Sequence, residues 1–256
     1  MLILEQKLLL ACLPVAPDHR QLSNLIKQNP DWDELFKLGE DHAVLPLIYQ
    51  TLKSCPDLLV TASVLKRFQS QFAAHALQGG KEGRLECEET LVMLCAHGTK
   101  HYWEQLKWLV DIDRLVRRGP SINWQRAFAL ARNSGSLRTM LLGLSLVRSL
   151  LATPLCDEVA AKIAADDVVQ SLAEDVMVNL FPLDPERKQY LHEYSFYLKS
   201  RDNLVDRLRQ ILRWLFWPRR ADWQVFRLGD CCHGLFYVQR PVRMVCKWLL
   251  KPIVRR

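Results

Sequence analysis

Apolar positions recur at helical spacing along most of the chain, and the breaks between them carry residues that start or stop helices. Leu2 to Leu13 reads as a first helix, stopped by Pro14. Asp31, after Asn29-Pro30, can cap a second helix, and Glu34 three residues on gives a capping-box-like pattern ahead of Leu35, Phe36 and Leu38. From Asp57 to Leu77 the pattern predicts one long amphipathic helix, with Leu58, Leu65, Phe68 and Phe72 near one stripe. Gly79-Gly80-Lys81-Glu82-Gly83 then holds three of the ten glycines and marks the clearest break in the chain. Beyond it, Glu88–Cys95 and Trp103–Arg118 read as helices, the second with a broad apolar face. Thr153-Pro154 and Asp184-Pro185 each set a capping side chain before a proline, which the first helical position tolerates, and so predict helices over 154–164 and 185–199. Asn203–Trp217 is amphipathic, basic and ended by Pro218, while Val225–Val238 is the only stretch with a strand reading.

This pattern predicts an all-α fold, an irregular multi-helix bundle. Residues 1–78 form an N-terminal helical segment, 79–86 a Gly-rich junction, 87–182 a helical domain, and 183–256 a basic, aromatic-rich helical segment. Composition agrees, since 256 residues with 49% hydrophobic and 25% charged positions are globular in balance, and only 10 glycines argue against a turn-rich β-sandwich or propeller. The net charge of +7 is uneven: residues 199–256 hold 14 Lys and Arg against 4 Asp and Glu, whereas residues 1–198 hold 21 against 24. No apolar run reaches the roughly 18 uncharged residues of a membrane span. Eight cysteines without framework spacing, and an N-terminus with Glu5 in place of a basic start, lead us to expect reduced thiols and a cytoplasmic location.

Several clusters invite chemistry. Gly98-Thr99 followed by Asp111-Ile112-Asp113 imitates the signature in which two carboxylates hold Mg²⁺ against a nucleotide phosphate. Residues two apart share a face on a strand but lie ~200° apart on a helix, and the spacing here is helical. The structural reading is therefore favoured, with Asp113 exposed and solvated and Asp111 paired locally. Cys95, His97 and His101 could chelate a metal, but Gly98 between the histidines can interrupt the helix, and a polar cluster packed at a helix start is the preferred reading. Cys231-Cys232-His233 has the makings of a soft-metal or redox site, with buried free cysteine as the commoner state. Gly79-Gly80-Lys81 lacks the first glycine and the following Ser or Thr of a phosphate loop and reads as a connector. No nucleophile-elbow or dinucleotide motif occurs. Arginines and tryptophans in residues 207–256 suit an anionic membrane surface better than nucleic acid, the plainer alternative being an aromatic core stripe with a solvated basic face.

Leu94-Cys95-Ala96-His97-Gly98-Thr99-Lys100-His101-Tyr102-Trp103 is followed by Leu106-Lys107-Trp108-Leu109-Val110-Asp111-Ile112 and then by Asn123-Trp124 at the start of the next helix. Through this run the segment Cys87–Phe181 resembles the C-terminal helical part of a large bacterial family of uncharacterised nucleotidyltransferases. Leu8–Cys12, Asp31–Leu35 and His42–Tyr49 are similar to the same family's N-terminal part, and Asp222-Trp223, Leu235–Tyr237 and Arg240–Arg243 to its C-terminal end. The resemblance implies a polymerase-β-like core between the N-terminal helices and the His-Gly-x-Lys-His segment, with a Lys-Gly element and three strand-borne acidic residues. Only Gly79–Gly83 and its neighbours stand there, too few for even one βαβ unit of ~30 residues.

The expectation is thus a truncated, non-catalytic binding or interaction module made from two helical flanks, without a catalytic residue or cofactor. His97, Lys100, His101, Trp103 and Arg138 are its candidate substrate-facing residues. Helices parted from a core also predict association into homo-oligomers through exposed apolar surface. Two alternatives stand beside it: an active nucleotidyltransferase using Mg²⁺ on Asp111 and Asp113, and a peripheral membrane module through the basic C-terminus.

Overall fold

The computed structural model describes residues 2–54, 60, 63–68, 86–118, 122–181 and 190–216. Among them the chain is helical without a strand: α1 (Leu4–Cys12), α2 (His19–Ile26), α3 (Trp32–Asp41), α4 (Leu45–Ser54), α5 (Cys87–Lys100), α6 (Leu106–Arg118), α7 (Trp124–Asn133), α8 (Leu137–Leu151), α9 (Asp157–Ala164), α10 (Asp167–Asn179), α11 (Tyr190–Lys199) and α12 (Leu204–Phe216). Residues 63–68 add a short helical stretch. The all-α expectation holds. Two compact units divide the chain, Met1–Asp202 and Asn203–Arg256.

Helix α8 organises the first unit. Its sequence is apolar around the whole circumference, and Thr139 through Val147 are buried without interruption, as a helix with no polar face must be. It packs against α5, α6, α7, α9 and α10, and also touches α1, which gathers α2, α3 and α4. No Ser136 side-chain bond caps its start. The Asp202 carboxylate does so instead, accepting the N–H groups of Leu137 at 2.9 Å and Arg138 at 2.7 Å.

Local signals account for most other boundaries. Asp31 accepts the N–H groups of Asp33 and Glu34, as its sequence position predicts. The reciprocal arm comes from α1 rather than Glu34, because the Asp31 N–H donates to Glu5 Oε1 at 2.9 Å. Asn123 caps α7 by accepting the Arg126 N–H, and its own N–H donates to the buried Glu88 carboxylate at 2.8 Å. Four expectations need correction. Val60 is not helical, so one helix from 57 to 77 does not form; residues 55–59, 61–62 and 69–85 lie outside the described residues. Helix α5 runs on to Lys100 through Gly98, and α6 begins at Leu106 rather than Trp103. Thr153-Pro154 does not open a helix, because the Thr153 hydroxyl donates to Asp113 Oδ1 at 2.6 Å, and α9 starts at Asp157. The pattern also passed over α2, α4, α8 and α10. Residues 182–189, with Asp184-Pro185, and the strand reading over Val225–Val238 lie outside the described residues.

The joint between α5 and α6 is a Schellman turn. The Trp103 N–H donates to the Gly98 carbonyl at 2.9 Å and the Tyr102 N–H to the Thr99 carbonyl at 3.1 Å, with Tyr102 left-handed at φ 55°. This motif brings the residue after the left-handed position back onto the helix three residues before the cap. Here those two residues are Trp103, fully buried, and Gly98, and a Cβ on Gly98 would run into the indole. Gly143 of α8 closes the seat from the far side, where a Cβ would lie 2.6 Å from Cys95 Sγ and 3.0 Å from the Trp103 ring. Gly143→Ala is expected to cost about 1–3 kcal/mol by overpacking, and Trp103→Ala about 3–5 kcal/mol. Urea denaturation measures both, and a Gly143→Ala protein of unchanged stability contradicts the seat.

Candidate functional site

Folding the chain back at Tyr102-Trp103 sets the end of α5 beside the start of α6. On the outside of this joint the His97 and His101 rings lie 4.7 Å apart, as residues one helical turn apart do. Both meet Trp108, His97 edge-on at 5.5 Å and His101 at 5.4 Å between centroids. Lys107 Nζ stands 5.8 Å from the Trp108 centroid, within cation–π range. His97, Lys100 and His101 are exposed, and Lys107 is half-buried. Partial burial holds the His97 imidazole below its ordinary pKa, and His101, Lys100 and Lys107 push it the same way. The charged groups acting on His97 are therefore all cations.

Of the five sequence-derived candidates, the structure gathers three on this surface: His97, Lys100 and His101. Trp103 is in the core, with its ring between Gly98 and Gly143. Arg138 is committed elsewhere. Its Nε donates to Asp166 at 3.0 Å and its Nη1 to the Arg201 carbonyl at 2.9 Å, tying α8 to the loop after α11. Sequence reasoning left out Lys107 and, as a site residue, Trp108. The signal was available, since a turn at 101–103 makes the residues three to six positions either side of it neighbours. Cys95 does not join the histidines, because its Sγ faces Gly143 and burial raises its thiol pKa far above normal. Among the described residues no group of three metal-ligating side chains forms. Gly79-Gly80-Lys81 and Cys231-Cys232-His233 lie outside the described residues.

Asp111 and Asp113 sit within α6, which is continuous across them, and leave it on faces ~200° apart. The expectation of an exposed Asp113 is overturned: Asp113 is fully buried, whereas Asp111 is exposed. Asp113 Oδ1 accepts Arg117 Nε at 2.6 Å and the Thr153 hydroxyl at 2.6 Å, while Arg117 Nη2 donates to the carbonyls of Leu151 and Ala152. This network seals the end of α8, where Ala152 is left-handed at φ 51°. A pair so divided does not fit a shared Mg²⁺, and one member is already spent on an ion pair.

His42 is a second perturbed histidine. It is buried at the end of α3 with its ring edge-on to Phe181 at 5.1 Å. Burial lowers its pKa, opposed by the nearby Asp41 and the Glu104 backbone. The Gln105 side-chain amide donates to the Asp41 carbonyl at 3.5 Å and links the α3 end to the α5–α6 joint.

The geometry defines an all-α scaffold, among the described residues, with two histidines and two lysines gathered at the α5–α6 joint. A family model described as an uncharacterised nucleotidyltransferase matches residues 77–152. The match runs through α5, α6, α7 and α8, and so includes the joint and the helix it packs on. No curated protein and no solved structure matches the chain.

Asp113→Ala is expected to destabilise the protein by about 3–5 kcal/mol, because Arg117 loses the partner of a buried ion pair. Asp111→Ala should cost about 1 kcal/mol or less. Thermal unfolding of the two variants checks this, and equal, small losses contradict a structural role for Asp113.

Proposed function

We propose that the chain is a non-catalytic, ligand-binding member of the nucleotidyltransferase lineage that keeps helical flanks and lacks the catalytic core between them. Its binding surface is the joint of α5 and α6, and the ligand class is a phosphate-bearing anion such as the polyphosphate of a nucleotide. The observation that carries this reading is the gathering of His97, Lys100, His101 and Lys107 where α5 ends and α6 begins, with the two imidazole rings 4.7 Å apart and Lys107 Nζ 5.8 Å from the Trp108 ring that both meet. Neighbouring basic groups raise one another's energy, and a bound polyanion relieves it. Lysines supply charge and the imidazoles supply N–H donors.

Two further points support the non-catalytic half. The stretch between α4 and α5, residues 55–86, has about the length of a single βαβ unit of ~30 residues, less than a whole mixed α/β core, and 63–68 within it are helical. The Asp111-Ile112-Asp113 pair puts one carboxylate on an exposed helix face and the other in a buried ion pair.

Calorimetric titration of the full chain with pyrophosphate and with ATP, without Mg²⁺, tests the reading. Binding of both is expected, weakened about tenfold or more by Lys100→Glu with Lys107→Glu, since a hydrogen bond to a charged group contributes about 1.5–3 kcal/mol. Binding that the double variant leaves unchanged contradicts the site. Pyrophosphate release from a nucleoside triphosphate with Mg²⁺, abolished by Asp111→Asn, would overturn the non-catalytic assignment.

A further inference from the structure

Helix α12 is amphipathic with its apolar side outward. Leu204, Val205, Leu208, Ile211, Leu212 and Phe216 are 42–75% exposed. At ~100° per residue they occupy a continuous sector of roughly 140°. Asp206 and Gln210, on the opposite side, are only half-exposed. Single exposed leucines are ordinary on a protein surface, but a contiguous stripe of six marks an interaction face. Arginines border the stripe on both edges, Arg207 on one and Arg209 and Arg213 on the other. The one acid of the helix is already engaged: Asp206 accepts Arg209 Nη1 at 2.8 Å and its N–H donates to Asn203 Oδ1.

We propose that α12 docks in the plane of an anionic lipid bilayer, its apolar stripe in the acyl boundary and its arginines at the headgroups. Thirteen residues span only ~20 Å, against ~30 Å of hydrocarbon, so the helix lies on the surface instead of crossing. In agreement, no helix among the described residues is long and apolar enough to span. Charge selects the occupant. Arginine stems can lie along an apolar boundary while their guanidinium groups reach phosphate. The excess of 14 basic over 4 acidic residues in 199–256 adds attraction to the same surface. A second copy of the helix, laid stripe to stripe, would bring these arginines against one another. Nucleic acid offers nothing that buries six aliphatic and aromatic side chains along one helix.

Co-sedimentation of the full chain with phosphatidylserine and with phosphatidylcholine vesicles at low salt tests the proposal. Binding to the anionic vesicles is expected, falling about tenfold or more in Leu208→Asp with Leu212→Asp, because each apolar side chain withdrawn removes a comparable factor. Arg209→Glu with Arg213→Glu should lose the preference for anionic lipid while circular dichroism stays unchanged. No sedimentation, equal sedimentation with both lipids, or sedimentation undiminished in the apolar variant overturns it. So does a wild-type dimer in light scattering that the apolar variant dissociates, which would assign the stripe to a second copy.

Discussion

The seat of Trp103 is the contact on which the first unit depends. A Schellman turn directs its indole onto Gly98, and the absence of a side chain at Gly98 and at Gly143 lets α5, the turn and α8 close around it. The turn is costly in itself, since Tyr102 and Trp103 both adopt left-handed backbone that glycine takes far more readily. Complete burial of a large aromatic side chain, at ~1.5–3 kcal/mol or more, is of the same order as the roughly 2–4 kcal/mol cost of two left-handed residues. The same geometry recurs at smaller scale after α3. There the Val44 N–H bonds to the Gly39 carbonyl at 2.8 Å, Ala43 is left-handed, and a Cβ on Gly39 would lie 2.7 Å from Leu45 and Ile48. Both turns put a glycine where the returning chain must come close.

Charge in this fold serves mainly to finish helices. Asp202 caps α8 from a distant loop, Asp113 and Arg117 close its other end, and Arg138 ties its first turn to Asp166, which itself caps α10. Each of these side chains resembles a catalytic residue in isolation, being a buried or half-buried acid or base. Each has its partners within the scaffold. The cluster at His97 differs because its neighbours repel one another. It stabilises no helix end that the Schellman turn has not already satisfied.

The sequence made the amphipathic helices legible and hid the buried ones. Asp31 announced α3 through capping chemistry, Asn123-Trp124 marked the start of α7 only through the family resemblance, and the amphipathic, basic pattern announced α12. Helix α8 carries no such alternation, because every face of it meets another helix. Thr153-Pro154 has the form of a helix start, yet its hydroxyl is taken by Asp113 forty residues earlier, a contact that no local pattern encodes. Trp103 looked substrate-facing beside two histidines and a lysine. Its burial follows only once the turn at Tyr102 is known. Asp111 and Asp113 are helical as their spacing predicts, but Asp113 is buried rather than exposed, since the apolar face of α6 wraps far enough to include position 113.

The α5–α6 joint thus gathers four basic groups around a turn held by the burial of Trp103. Its central consequence can be read at a single atom. Proton NMR titration of the His97 ring should give a pKa below the ordinary value of about 6.5 in the free protein and a clear rise when pyrophosphate is added. A His97 ring that titrates normally and does not respond to pyrophosphate would contradict the account.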